Sequence, residues 1–344
     1  MIILRYLLFP FAILFGIITS IRNFLYDKGI LKSYSFAIPI IAVGNLSVGG
    51  TGKTPQIEYL IRLLSPNYKI ATLSRGYKRK SKGFIVANAT SNAEILGDEP
   101  FQFFQKFPQI QVAVAADRKN GIEQLLKQSN KPEIILLDDA FQHRRVKAGF
   151  YILLTAFDDL FCDDLMLPTG NLRESKQGAK RADVIIVTKC PENLSEIVQQ
   201  KIKDKLMKFI SGNDSSLQTV FFTKITYDDS VYSIDKEMKV SDIKDVDKLL
   251  LAGIAKPEPF FAYLQSSKDV IFKFPDHHHF SESEILEIKN KSNNKPIITT
   301  EKDFVRLKDS ILKEQLFYLP IKTTLLSNEL GFNSIILNYF NSVI

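Results

Sequence analysis

Only two cysteines, Cys162 and Cys190, occur in the 344 residues, and no C-x-x-C spacing joins them. That excludes a disulfide framework and a cysteine-built zinc site, and it fits a reducing compartment. Fibrous repeats and a disorder-prone composition are absent too. With 45% of the residues hydrophobic and 24% charged, the chain can bury a sizeable core and divide into two domains. Acidic residues are the minority charge, 38 against 45 basic, for a formal net charge of +7. The excess suits an anionic partner such as a nucleotide, a phospholipid or a nucleic acid without choosing among them. No recognised RNA- or DNA-binding motif accompanies it, and the basic residues are scattered, so no nucleic-acid partner is expected.

A cleavage site is also missing. Residues 2–21 are apolar apart from Arg5, and Arg22 and Lys28 follow. No A-x-A-like sequence ends this run, as it would in an exported protein's leader. The uncharged stretch 6–21 is short for a membrane span, and Pro10 and Gly16 interrupt it. An ordinary core helix is the plain alternative. The apolar length and cationic flanks favour a helix lying in or dipping into the inner leaflet, with Arg5, Arg22 and Lys28 reaching the headgroups.

The stretch VGNLSVGGTGKTP (residues 43–55) lacks the first glycine of the G-x-x-x-x-G-K-[ST] phosphate loop, because Ser47 stands in its place. Gly49, Gly50, Thr51 and Gly52 then precede Lys53 and Thr54. SFAIPIIAVGN reads as a buried strand and KTPQIEYLIRLL as a helix with apolar positions 57, 60, 61 and 64. A strand, a glycine-rich turn and a helix N-terminus are the context in which backbone N–H groups converge on phosphate oxygens. Lys53 would reach the β- and γ-phosphates, and the Thr54 hydroxyl would ligate Mg²⁺.

A metal also needs a carboxylate. KPEIILLDDAFQH ends an apolar run with Asp138 and Asp139, a Walker B pattern in which one of the two faces Mg²⁺ or its water shell. A guanine reader is missing: ADVIIVTKCPE offers Thr188 and Lys189, but Pro191 occupies the position of the expected aspartate. ATP is therefore the expected nucleotide.

Further strand-like runs alternate with helical patterns, which predicts parallel sheets covered by helices on both faces. We expect an α/β chain in three parts: a membrane-associating helix (1–28), a P-loop NTPase-type parallel-sheet domain (29–214), and a second, smaller α/β domain (215–344), the two α/β units facing one cleft. The polar break SGNDSSLQ at 211–218 marks the boundary. Other polar clusters have two readings each. Asp98 and Glu99, ahead of Pro100, suit the first turn of a helix, and composition alone favours that over a catalytic base. Arg118 and Arg173 sit in turn-rich loops and suit either phosphate oxygens or surface ion pairs. The basic turn SRGYKRK suits an anionic headgroup or plain solvent. FPDHHHFS precedes a capping box of Ser281 with Glu284.

Taken in order, GNLSVGGTGKTP, LSRGYKRK, GDEPFQF, AADRKNG, DDAFQHRRV, PTGNLRES, GIAKPEPF, PDHHHF and TTEKDFVRL resemble the tetraacyldisaccharide 4′-kinase family of lipid A biosynthesis. The resemblance runs from the apolar N-terminus to about residue 307. It implies ATP-dependent phosphorylation of the 4′-hydroxyl of a tetraacylated glucosamine disaccharide 1-phosphate at the cytoplasmic face of the inner membrane, with Mg²⁺ as the expected metal; a monomer is expected. It also implies Asp98 as catalytic base, assisted by His277 or its neighbour His278, with Arg118 and Arg173 stabilising the phosphoryl group in flight. Partitioning-type ATPases share the G-G-x-G-K-T spelling but carry a lysine before the first glycine, where this chain has Val48.

Overall fold

The computed structural model describes residues 7–210, 219–276, 278–311 and 313–341. The expected break at 211–218, the cation Arg5 and the candidate His277 lie outside the described residues. The chain forms two compact units, one running to Ile225 and resuming at Thr323, the other being Thr226–Lys322.

In the first unit, α1 (Phe9–Asp27) precedes β1 (Ile40–Asn45), α2 (Lys53–Leu64), β2 (Ile70–Ser74), β3 (Ile85–Val86), α3 (Ala93–Leu96), α4 (Asp98–Lys106), β4 (Gln111–Val114) and α5 (Arg118–Leu125). β5 (Ile134–Asp138), β6 (Phe150–Ala156), a 3₁₀ turn (Lys176–Arg181), β7 (Val184–Thr188), α6 (Glu196–Ile210) and β8 (Thr219–Tyr227) follow. The second unit contains β9 (Ser230–Tyr232), β10 (Glu237–Lys239), α7 (Val240–Ile243), β11 (Leu249–Ala252), α8 (Glu258–Leu264) and β12 (Val270–Lys273). It continues with α9 (Glu282–Ser292), β13 (Ile297–Thr300), α10 (Glu301–Leu307) and β14 (Leu316–Leu319). β15 (Ile321–Leu325) and α11 (Glu329–Asn341) end the chain.

The first sheet has nine strands in the order β15-β8-β7-β6-β1-β5-β2-β4-β3. Its pairs from β4 across to β8 are parallel, and β3 is antiparallel to β4. A parallel strand covered on both faces needs an unbroken apolar run, which β1 and β5 supply. Alternate residues of β1 serve opposite layers. Ile41 and Val43 pack with Ile57, Leu60 and Ile61 of α2, whereas Ile40 and Ala42 pack with Leu73, Ile122 and Leu125. Residues 323–344, assigned to the second unit from sequence, return to the first because α11 buries Phe332, Ile336 and Phe340 in the α2 layer.

The second unit is a smaller α/β body whose sheet runs β10-β9-β14-β13-β11-β12. Its four strands β14, β13, β11 and β12 are mutually parallel, with β9 and β10 antiparallel at one edge. A fully buried ion pair, Lys248 Nζ to Asp269 Oδ2 at 2.9 Å, braces the loops entering β11 and β12. The capping box expected from Ser281 and Glu284 is present at the start of α9.

Candidate active site

β1 lies mid-sheet, where successive connections depart in opposite directions, and such switch points are where α/β sheets bind ligands. The loop leaving it explains its own spelling. Ser47 is buried in an antiparallel bridge with Leu172, flanked by Val48 N–H to Asn171 O at 2.8 Å and Arg173 N–H to Leu46 O at 2.7 Å. That backbone is paired like a strand and needs no glycine. The turn comes later, where Gly49 and Gly52 have φ of 118° and 85°, a region that penalises any residue with a Cβ. Neighbouring side chains hold the loop from outside. Asn45 Nδ2 donates to Thr51 Oγ1 (2.8 Å), Thr188 Oγ1 to Thr51 O (2.8 Å), and Lys189 Nζ to Gly50 O (2.5 Å). Thr188 and Lys189, weighed in the sequence as a base reader, thus act as loop supports.

The acidic pair after β5 divides its labour. Asp139, at a φ of 47°, sits between two cations: Arg173 Nη1 lies 3.0 Å and 3.2 Å from its two oxygens, and Lys53 Nζ is 3.5 Å away. Burial pushes its carboxyl up, but Lys53 and Arg173 prevail and hold it below the ordinary value. Asp138 is fully enclosed. Burial, followed by the neighbouring carboxylates Glu99 and Asp139, pushes it up to about 7 against the pull of Lys53 and Arg118. Its Oδ2 accepts from Ser74 Oγ at 3.2 Å, while its buried Oδ1 has no hydrogen-bond partner among the described residues. Such an orphaned oxygen is costly unless a ligand satisfies it.

Thr54 and Glu99 join the two helices that start here, the hydroxyl donating to Glu99 Oε1 at 3.0 Å. Asp98, half-buried, opens α4 beside Glu99. Glu99 is the member the sequence understated: it was read only as a helix-end acid. Arg118 stands differently from its expected role. It is 2% exposed, and its Nη1 and Nη2 are spent on Ala115 O (2.5 Å) and Asp138 O (2.9 Å). There it ties the ends of β4 and β5 together, and burial lowers its guanidinium to about 10. His278 belongs to the second unit, where it stacks on Phe274 and its Nε2 lies 3.0 Å from Glu284 Oε1.

These groups fit an Mg²⁺–phosphate ligand. The donors, a hydroxyl and two carboxylates beside Lys53 and Arg173, are hard oxygens backed by two cations.

The raised Asp138 carboxyl has a testable consequence. From pH 3.8 to about 7 the unfolded chain has released this proton while the folded one keeps it, so the residue's contribution to stability is lost as pH rises. His143, depressed mainly by burial to about 4, acts the opposite way: the unfolded chain takes its proton below pH 6.5 and stability falls as pH drops. The two slopes offset each other in the native protein. Asp138→Asn removes only the first, so without nucleotide its Tm relative to wild type should climb between pH 5 and pH 8. A Tm difference independent of pH would contradict the raised carboxyl.

The polar end of α1 reaches the same loops. Arg22 Nη2 donates to Gln142 O and Asn23 Nδ2 to Glu174 Oε2, both at 2.7 Å, and Arg144 Nη2 pairs with Asp27 at 2.6 Å. Its apolar side is bare: Phe11, Leu14, Ile18 and Ile21 are each more than half exposed. By length and composition the helix could cross a membrane.

Known proteins bear on this geometry. A curated relative from Flavobacterium psychrophilum, named tetraacyldisaccharide 4′-kinase, is 68% identical over 98% of both chains. One of the same name from Bacteroides thetaiotaomicron is 45% identical over 96% of this chain and 92% of its own. The crystal structure of LpxK from Aquifex aeolicus in complex with ATP superposes with a TM-score of 0.78 at 31% identity, covering 98% of this chain and 99% of that one. The family model for tetraacyldisaccharide-1-P 4′-kinase matches residues 4–341, nearly the whole sequence, and the chain belongs to that family.

Proposed function

We propose that the protein transfers the γ-phosphoryl group of ATP to the 4′-hydroxyl of a tetraacylated glucosamine disaccharide 1-phosphate. The observation that carries this reading is the convergence of Lys53, Thr54, Asp138, Asp139 and Glu99 around one loop at the middle of the sheet, joined by the Thr54–Glu99 and Lys53–Asp139 contacts. Thr54, Asp138 and Asp139 would hold Mg²⁺, which when bound neutralises phosphate charge. Gly49, Gly50, Thr51 and Gly52 offer main-chain N–H groups, and Lys53 adds a positive charge. Arg173, already on Asp139, would share in stabilising the transferred group. Asp98 accepts the proton of the sugar hydroxyl as that oxygen forms its bond to phosphorus and the bond to the β-phosphate oxygen breaks. His277 or His278 would assist it. Arg118 supports this machinery from behind. Labelled ATP incubated with the acylated disaccharide should place the label on the sugar. Hydrolysis without transfer would overturn the reading.

The exposed face of α1 supports a seat on the inner-membrane surface, at the side where ATP is available, with the protein acting as a monomer. Burying a Leu or Ile side chain is worth about 1.5–3 kcal/mol. Leu14→Asp with Ile18→Asp should therefore weaken vesicle binding by roughly a hundredfold or more while ATP affinity holds. These positions make a cleaner test than deletion, which would also remove Arg22 and Asn23 from the catalytic loops. Unchanged sedimentation with vesicles would refute the membrane seat.

A further inference from the structure

Two helices begin at the candidate site and run side by side away from it. α2 carries Lys53 and Thr54 in its first turn, and α4 carries Asp98 and Glu99 in its own. Between them lies a ladder of polar contacts. The rung nearest the site is Thr54 Oγ1 to Glu99 Oε1 at 3.0 Å. One turn on, Glu58 Oε1 accepts from Gln102 Nε2 at 3.0 Å. The other oxygen of Glu58 accepts from Lys106 Nζ at 2.7 Å and from Arg62 Nη2 at 2.9 Å. The spacing is helical on both sides: 54, 58 and 62 on α2, and 99, 102 and 106 on α4.

The Glu58 side chain is 2% exposed, and that of Lys106 is 16%. Burying a charge pair carries a desolvation penalty, and apolar residues of similar size commonly replace such pairs without loss of stability. Ile57, Leu60 and Ile61 already share a core with Phe103 and Phe107. Apolar contact is non-directional, however, and it does not by itself select one register of two helices. A slide of one residue moves a helix by about 1.5 Å and turns it by about 100°. Such a slide would part Glu99 from Thr54 and re-aim Asp98.

We propose that Glu58 is a positioning residue for phosphoryl transfer: through Gln102 and Lys106 it fixes the register of the helix bearing Asp98 and Glu99 against the helix bearing Lys53 and Thr54. It touches no reacting atom. Its effect reaches the chemistry through the placement of two acidic side chains, and misplacement of about 1 Å can cost about a hundredfold in rate. The proposal rests on the kinase reading above.

The test replaces the whole buried pair; Arg62, which loses Glu58 as well, is 35% exposed and can be solvated. Glu58→Leu with Lys106→Met should fold with a Tm close to wild type. It should lose about ten- to a hundredfold in kcat, with KM for ATP changing less than about threefold. Amide exchange in residues 98–106 should quicken relative to the rest of the sheet. Glu58→Gln, whose amide oxygen still accepts from Lys106 and Arg62 and whose NH2 can donate to a flipped Gln102 amide oxygen, should recover part of kcat. Combined with Asp98→Asn, the pair replacement should add little further loss of kcat, because both act through the same carboxylate. If the double replacement does not fold, Gln102→Leu cuts one rung and leaves the ion pair, and a several-fold kcat loss is expected. Wild-type kcat in either folded variant overturns the proposal, as does a kcat loss fully additive with that of Asp98→Asn. Wild-type enzyme that transfers no phosphate to the disaccharide fails the kinase reading instead, and the exchange result still reports on the register.

Discussion

Lys53→Ala is expected to lower kcat/KM for phosphoryl transfer by at least about a thousandfold, the upper range for removing one preorganised charge from a site of this kind. The lysine's ammonium is held at the first turn of α2, 3.5 Å from Asp139 and 11% exposed, where water screens it little. Two losses follow from its removal. The phosphate loop loses the lysine of its own motif, and the acidic pair loses a compensating charge. Asp138 is already pushed up by burial, Glu99 and Asp139, with Lys53 among the groups pulling it down. Without Lys53 it keeps its proton more firmly, and a protonated carboxyl is a poor magnesium ligand. Asp139 retains Arg173 at 3.0 Å, so the loop keeps one ion pair and the fold should survive with little change in Tm. Lys53→Arg should not restore activity, because a planar, five-donor fork does not reproduce a compact ammonium in this space. Transfer within tenfold of wild type in a folded Lys53→Ala protein would remove Lys53 from the site.

What the sequence conveyed, and what it hid, follows from which interactions leave a local mark. β1 and β5 are legible because doubly covered parallel strands must be apolar without interruption, and residues 40–43 and 134–137 are. The loop was legible because a G-K-T at the junction of strand and helix serves few other purposes. The strand-like role of Ser47 was hidden, since its partner Leu172 is remote in sequence. Glu58 and Arg62 were hidden for a different reason: a glutamate four residues before an arginine on a helix has the pattern of a solvated face. Only the approach of Lys106 and Gln102 from another helix makes that face interior. Arg118 misled in the converse way. An arginine in a turn suggests a free guanidinium, and nothing local shows that two carbonyls at the ends of β4 and β5 will take it up. The return of residues 323–344 to the first unit likewise depends on Phe332, Ile336 and Phe340 meeting the α2 layer: their 4-residue spacing announces a helix with an apolar face but not which unit that face covers.

Asp98→Asn should separate the two roles that its position allows. At the start of α4 a carboxylate interacts favourably with the helix dipole, worth about 0.3–1 kcal/mol. Asparagine keeps the size and the hydrogen-bonding capacity of the side chain and is itself a good residue at helix starts, so the helix should lose at most a fraction of that. It cannot accept a proton from a sugar hydroxyl. If Asp98 is the base, the substitution leaves folding and ATP binding intact and strikes the chemical step alone. The expected result is a drop in kcat of about 10²- to 10⁴-fold, the usual contribution of general base catalysis, with KM for ATP within about threefold of wild type. The neighbouring Glu99 is the internal control, because its Oε1 already accepts from Thr54 Oγ1 at 3.0 Å, on the side of the site proposed to hold the metal. Glu99→Gln should therefore raise KM for ATP or the magnesium requirement, whereas Asp98→Asn should not. Were Asp98→Asn to leave kcat unchanged, Asp98 would revert to a helix-end residue, and the proton of the 4′-hydroxyl would have to leave by another group.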